Sequence, residues 1–216
     1  MDKQTITKAL EKALENKGKR KFTQSVEVIF NFRGLDTSKP ENRLNLDINL
    51  PKGRGKTVPV VVFGEQQVAL EASRSGAHKV FGAADIQKLA AEKKELKAMV
   101  KTCEFIAAPN MMMVVGKNLG QVLGSGGRLP RPIVGSVPDA IKAAQTRVRL
   151  TSRGKYLPTV QCPIGSETMS VGDLTENFEA AYDKVKAKVT EPVIHSIYVK
   201  LSMGPAIKVE AVKREK

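Results

Sequence analysis

His195 to Glu210, HSIYVKLSMGPAIKVE, reads as two short strands meeting at a tight turn. Side chains alternate along a strand, so Ile197, Val199 and Leu201 share one face and Ser196, Tyr198, Lys200 and Ser202 the other. Met203-Gly204-Pro205 breaks the alternation. Gly204 permits a turn or a close approach, and Pro205 lacks an N–H. Ile207, Val209 and Ala211 resume it. The apolar face belongs on a core. The opposite face is small, polar and cationic, which a sheet does not need for its own stability. A hairpin of this kind standing alone is ordinarily a solvated edge; the rest of the chain changes that reading.

Before the hairpin, Asp173 to about Thr190 has helical spacing, with Leu174, Phe178, Ala181, Tyr182, Val185 and Val189 facing inward. Tyr156–Cys162 is a strand. The amino-terminal end repeats this style. Residues 2–17 form an amphipathic helix with Ile6, Ala9, Leu10, Ala13 and Leu14 on one face, Asp2 or Thr5 as cap and Gly18 past its end. A basic loop follows, with Lys17, Lys19, Arg20 and Lys21; it is either solvated or phosphate-facing. Val26, Val28, Phe30 and Phe32 alternate within a strand over Ser25–Arg33. After the turn segment GLDTSKPEN, Leu44, Leu46, Ile48 and Leu50 alternate with Asn45, Asp47 and Asn49. Such half-covered strands fit an antiparallel sheet with one open face.

The middle differs. Val58–Phe63 is a nearly continuous apolar run, as in a parallel strand buried on both sides. Helices over Glu65–Ser75, Ala84–Thr102, Asn110–Leu123 and Pro138–Thr146 alternate with strands at His78–Phe81 and Glu104–Ala108. This is the rhythm of an open α/β sheet. The expected fold is therefore α/β in two domains. Residues 1–56 and 152–216 build a split α+β domain, an antiparallel sheet with helices on one face. Residues 57–151 form an inserted, Rossmann-like open α/β domain. PKGRGK (51–56) and TSRGK (151–155) would be the two hinge strands.

The chain has 216 residues and a net charge of +14. That charge argues for an acidic partner, nucleic acid before anionic membrane. With no Trp and 5% aromatic residues, a row of stacked single-stranded bases is a poor fit. If the partner is RNA, folded shape, backbone and sugar contacts fit better. Basic residues exceed acidic ones in 1–56, 57–151 and 152–216 alike, so charge alone does not choose the binding unit. No apolar run approaches the roughly 20 residues that span a bilayer. The first residues lack the uncharged core of a secretory signal, which points to the cytoplasm. Cys103 and Cys162 lack metal-ligand spacing, and His78 and His195 lie far apart, so neither metal nor cofactor is expected.

An α/β insert invites a nucleotide site, but no GxGxxG follows the first strand and no GxxxxGK[ST] occurs. The loop Gly124–Pro132 could cradle phosphate through its glycine amides, Arg128 and Arg131, or could be a flexible connection. No GxSxG, Cys/His or paired-carboxylate arrangement stands out. Met111-Met112-Met113 is core filler rather than a ligand set. A phosphate-ligand enzyme built on the insert is the alternative reading, and a peripheral membrane protein the third.

KFTQSVEV (21–28), ENRLNLDINLPKGRGK (41–56), GKNLGQVLGSGGRLPRPIVGSV (116–137) and SIYVKLSMGP (196–205) together resemble the large-subunit ribosomal protein one (L-one) family in its archaeal form. The resemblance keeps the motif order and covers essentially the whole chain. It implies the split two-domain architecture and a non-enzymatic protein, monomeric off the ribosome. The implied partner is large-subunit ribosomal RNA at the mobile stalk beside the tRNA exit site. Assistance in releasing deacylated tRNA and repression of the protein's own messenger RNA are further implications. The matching RNA-binding positions are Lys21, Phe22, Ser25 and Glu27 at the first strand, Arg43 before the second, and Ser196, Ser202, Met203 and Gly204. Relatives often carry two or three threonines before Met-Gly, where this chain has Leu201 and Ser202; Ser202 keeps a hydroxyl and Leu201 does not. Phe22 could stack on RNA or belong to the core.

Overall fold

A computed structural model of the chain describes residues 2–35, 42, 44–152, 157–189 and 191–209. The fold is mixed α/β, as expected, with an antiparallel sheet and a separate parallel sheet. The chain divides into one unit of Met1–Lys56 with Thr146–Lys216 and a second of Thr57–Gln145.

The first unit begins with helix α1 (Lys3–Glu15), capped by Asp2, whose carboxylate accepts from the Gln4 amide. Strands β1 (Ser25–Phe32) and β2 (Asn45–Asn49) follow. After the insert come β7 (Arg147–Ser152), β8 (Thr159–Ser166), helix α7 (Val171–Lys188), β9 (Ile194–Leu201) and β10 (Ile207–Val209). The sheet order is β10-β9-β1-β8-β7-β2, with every neighbouring pair antiparallel. Strand β1 is thus central, between two strands from the far end of the chain. Val26, Val28 and Phe30 of β1, Val160, Cys162 and Ile164 of β8, and Ile197, Val199 and Leu201 of β9 pack with Ile6 and Leu10 of α1 and Leu174 and Phe178 of α7 in one core. Both helices serve that core face; among the described residues of this unit no helix packs on the other, open face.

Two expectations at the unit boundaries are corrected. Arg147–Ser152 is a strand of the antiparallel sheet, so the return crossing lies at Gln145–Thr146 rather than at 151–152. Leu150 and Val148 face the core opposite Leu46 and Ile48 of β2, which fixes the strand there. Thr151 and Ser152 are the end of β7, paired with Gln161 and Val160 of β8, and so are not part of a hinge strand; residues 153–156 lie outside the described residues. PKGRGK is anchored to its own unit by Asn177 of α7. The Asn177 carboxamide accepts from the Lys52 amide at 3.0 Å and donates to the Gly53 and Ile164 carbonyls at 2.9 and 2.8 Å. Gly55 has φ +66°, and a Cβ there would stand 2.7 Å from Met169 Sδ, so only glycine fits.

The second unit runs β3 (Val60–Phe63), α2 (Gln66–Arg74), β4 (Lys79–Phe81), α3 (Ala83–Ala91), α4 (Lys93–Thr102), β5 (Glu104–Ala107), α5 (Met112–Ser125), β6 (Arg131–Pro132) and α6 (Val137–Thr146). Its strands are parallel in the order β4-β3-β5-β6. Val61 and Phe63 pack on one side with residues of α3, α4 and α5. Val60 and Val62 pack on the other with residues of α2 and α6. Both faces are covered, which is why the run reads as continuously apolar. The single helix expected over Ala84–Thr102 is two. Glu92 breaks it at ψ 60°, although Ile86, Leu89, Leu96 and Val100 keep a spacing that one helix would also bury.

Candidate nucleic-acid interface

The site is assembled where β1 and β9 run side by side. Antiparallel register places Asn31 opposite Ser196, Ile29 opposite Tyr198, Glu27 opposite Lys200 and Val26 opposite Leu201. The polar members of these pairs lie on the open face. Thr159 Oγ1 donates to Asn31 Oδ1 at 3.0 Å, and Asn31 Nδ2 donates to Ser196 Oγ at 3.1 Å. These bonds fix the Ser196 hydroxyl on the sheet surface.

At the other end of β9 the turn is bound to the start of β1. The Ser202 amide donates to the Ser25 carbonyl at 3.0 Å, and the Ser25 amide donates to Ser202 Oγ at 3.2 Å. The Met203 amide donates to Gln24 Oε1 at 3.1 Å. Gln24 is only 1% exposed, and its Nε2 donates to the Lys17 carbonyl at 2.7 Å and to Glu167 Oε2 at 3.2 Å. One buried carboxamide thus joins the basic loop, the Met-Gly turn and the segment after β8. Lys56 reaches the same place, donating to the Thr23 carbonyl at 2.8 Å.

Of the residues singled out in the sequence, Lys21, Phe22, Ser25, Ser202, Met203 and Gly204 are brought together here. Glu27 and Ser196 lie farther along the open face. Arg43 lies outside the described residues. Phe22 is 54% exposed and Met203 60%, so Phe22 is not core. Leu201 is fully buried on the core face. Its missing hydroxyl therefore leaves no gap on the open surface. Gly204 does not adopt a left-handed backbone; a Cβ there would lie 3.1 Å from Leu201 Cβ, so close approach is what selects glycine. Lys19, Arg20 and Lys21 are exposed and have no ion-pair partner among the described residues. Beneath the sheet, burial and then the Glu27 carboxylate push the Cys162 thiol up to about 12.

Sequence alone does not mark Gln24, Asn31, Lys56 or Glu167 as site residues. Gln24 is part of the KFTQSVEV motif, but nothing local marks it as buried. Lys56 belongs to PKGRGK, whose proximity to Thr23 is tertiary.

The insert offers less to a phosphate. Arg128 forms an ion pair with buried Glu104 of β5 and is not directed at a ligand by the glycine loop. Gly126 approaches Val100 so closely that a Cβ would overlap it at 2.2 Å, so the loop is packed rather than loose. The cleft past β3 and β4 is lined by Glu65 and Asp85, whose carboxylates accept from the Ala83 and Gly82 amides. Those carboxylates occupy donors that a phosphate would need. Among the described residues no three His, Cys, Asp or Glu side chains are placed to hold a metal, and no helix is long and apolar enough to cross a membrane.

The family model described as "Ribosomal protein L1p/L10e family" matches residues 10–205. The large ribosomal subunit protein uL1 of Methanocella arvoryzae is 37% identical over 212 residues, covering 97% of this chain and 100% of the relative. That of Thermoplasma volcanium is 39% identical over 214 residues, covering 97% of each. That of Archaeoglobus fulgidus is 37% identical over 214 residues, with 97% and 99% covered.

Proposed function

Because the chain belongs to the ribosomal protein L1 family, a family of the large ribosomal subunit, we propose that it binds ribosomal RNA through the open sheet face of its split unit. The observation that carries this reading is the clamp of Gln24 and Ser25 on Ser202 and Met203. It sets an exposed methionine, an exposed phenylalanine and the exposed cations Lys19, Arg20 and Lys21 beside one flat polar surface.

The chemistry follows from the furniture. Ser196 presents a hydroxyl suited to the ribose 2′-OH in a wide, shallow minor groove. Met203 offers apolar contact to a sugar or base, and Phe22 offers a stacking surface. The loop cations neutralise phosphates and make binding salt-dependent. The binding target is the mobile stalk near the tRNA exit site, where the protein assists the release of deacylated tRNA. A similar structure on the protein's own messenger RNA is the second target, and binding there represses translation.

The decisive measurement is a filter-binding titration of the full chain with a stalk rRNA fragment and with its own messenger leader. Met203→Asp is the variant of choice, because the side chain is exposed and only its amide is structural. Weakened binding at an unchanged melting temperature is expected. Unchanged affinity would overturn the assignment of this face.

A further inference from the structure

The insert carries a cationic surface that neither its fold nor the interface on the split unit uses. Helix α4 reads KKELKAMVKT. Leu96, Met99 and Val100 are buried in the core shared with α3 and α5. At 3.6 residues per turn, Lys93, Lys97, Lys101 and Lys94 fill an arc of about 100° elsewhere on the helix. All four are exposed, and that arc holds no carboxylate and no apolar side chain. None of the four has a hydrogen-bond or ion-pair partner among the described residues. Two acids border the lysines in sequence: Glu95 projects from the opposite flank and bonds Lys79 of β4 at 2.6 Å, and Glu92, the residue before the helix, lies with that pair. That bond holds the Glu95 carboxyl below its ordinary range, so it stays an anion committed to Lys79.

The fold gains nothing from this arrangement. Like charges four residues apart, Lys93 with Lys97 and Lys97 with Lys101, repel along the helix surface. Lys93 and Lys94 at its first two positions also oppose the helix dipole. An anion laid along the arc would relieve both. The lysines rise in steps of about 6 Å along the axis, so an extended polyanion can meet all of them at once.

We propose that this face of α4 is a second RNA-binding surface, on which Lys93, Lys97 and Lys101 neutralise backbone phosphates without reading bases. Lysine suits that task as a point charge with no demand on base identity. A protein partner would call for an apolar centre, which the arc lacks. A membrane would call for an apolar helix face, and that of α4 is buried. The inference rests on the reading that the chain binds RNA, but it concerns the other unit.

The test titrates the full chain and the variant Lys93→Gln/Lys97→Gln/Lys101→Gln against two separate probes, a stalk rRNA fragment and a deacylated tRNA, over a range of salt concentration. Three phosphate contacts contribute about two to three units of log–log salt slope. The triple variant is expected to show a slope shallower by about two on at least one probe, and the responding probe identifies the source of the phosphates. The triple Lys→Arg variant is expected to keep the original slope. Wild-type binding with slopes identical in the glutamine variant on both probes overturns the second surface and leaves the first intact. Absence of wild-type binding to either RNA overturns both. Because repulsion is relieved, the glutamine variant should melt no lower than the parent.

Discussion

Ser25 and Ser202 hold each other by a reciprocal pair of hydrogen bonds across 177 residues of chain. The Ser202 amide donates to the Ser25 carbonyl at 3.0 Å, and the Ser25 amide donates to Ser202 Oγ at 3.2 Å. The Ser202 hydroxyl also donates to the Ser25 carbonyl at 3.3 Å. The Ser202 hydroxyl is thus a structural group as well as a candidate RNA contact. The Met-Gly turn is held in place only once the two ends of the chain have met.

Ser202→Ala should therefore cost stability as well as affinity. It leaves the Ser25 amide without its partner in a half-buried site, a loss of about 1 kcal/mol. Ser202→Thr keeps the hydroxyl and should keep both properties. Thermal melting and filter binding on the same samples check this; a Ser202→Ala protein with unchanged melting would show that the bond adds nothing.

Gln24→Leu removes a buried carboxamide that serves the Met203 amide, the Lys17 carbonyl and Glu167. Each polar group left dry costs about 1–3 kcal/mol. The expected result is lower stability with RNA affinity reduced at least as much as in Met203→Asp. Amide exchange of Met203 should rise sharply, which a merely global loss of stability would not single out.

Leu201→Thr would place a hydroxyl directly before Ser202. The side chain is fully buried and faces α1 and α7, so the hydroxyl would enter the core. A destabilisation of about 1–3 kcal/mol is expected, with no gain in RNA affinity. Tighter binding by this variant would contradict the placement of Leu201.

Residues 1–56 joined by a short linker to 146–216 should fold and bind RNA. The same fusion begun at residue 152 should not, because it removes β7 from between β8 and β2. Circular dichroism and a melting curve of the two fusions distinguish them.

Cys162 gives a pH signature. Its folded value stands near 12 against an ordinary 9.0, so above pH 9 the unfolded chain releases a proton that the native chain retains. The unfolded state then binds fewer protons, and stability falls as pH rises, by about 1.4 kcal/mol per unit from this group. Denaturant titrations at pH 8 and pH 10 should show a steeper decline for the parent than for Cys162→Val. Equal declines would place the thiol in water.

Much of the fold was legible in the sequence. Alternation at Val26–Phe32 and Ile197–Leu201 gave the half-covered strands, and the unbroken run before Gly64 gave a strand covered on both faces, because burial on one side or two writes a different period into the residues. The motifs around Ser25 and Ser202–Gly204 hold residues that the fold brings together at the start of β1 and the turn after β9. Helix α4 was harder: the spacing of Ile86, Leu89, Leu96 and Val100 suits one helix as well as two, so the break at Glu92 left no local trace. Strand β7 carries only two alternating apolar residues, Val148 and Leu150, directly after a helix, and its pairing with β2 joins segments about 100 residues apart. What the tertiary structure alone decided was the pairing of β1 with β8 and β9, the burial of Gln24 between three segments, and the inward turn of Leu201. Each depends on contacts between residues far apart in the chain, and periodicity carries no information about which distant strand will lie alongside.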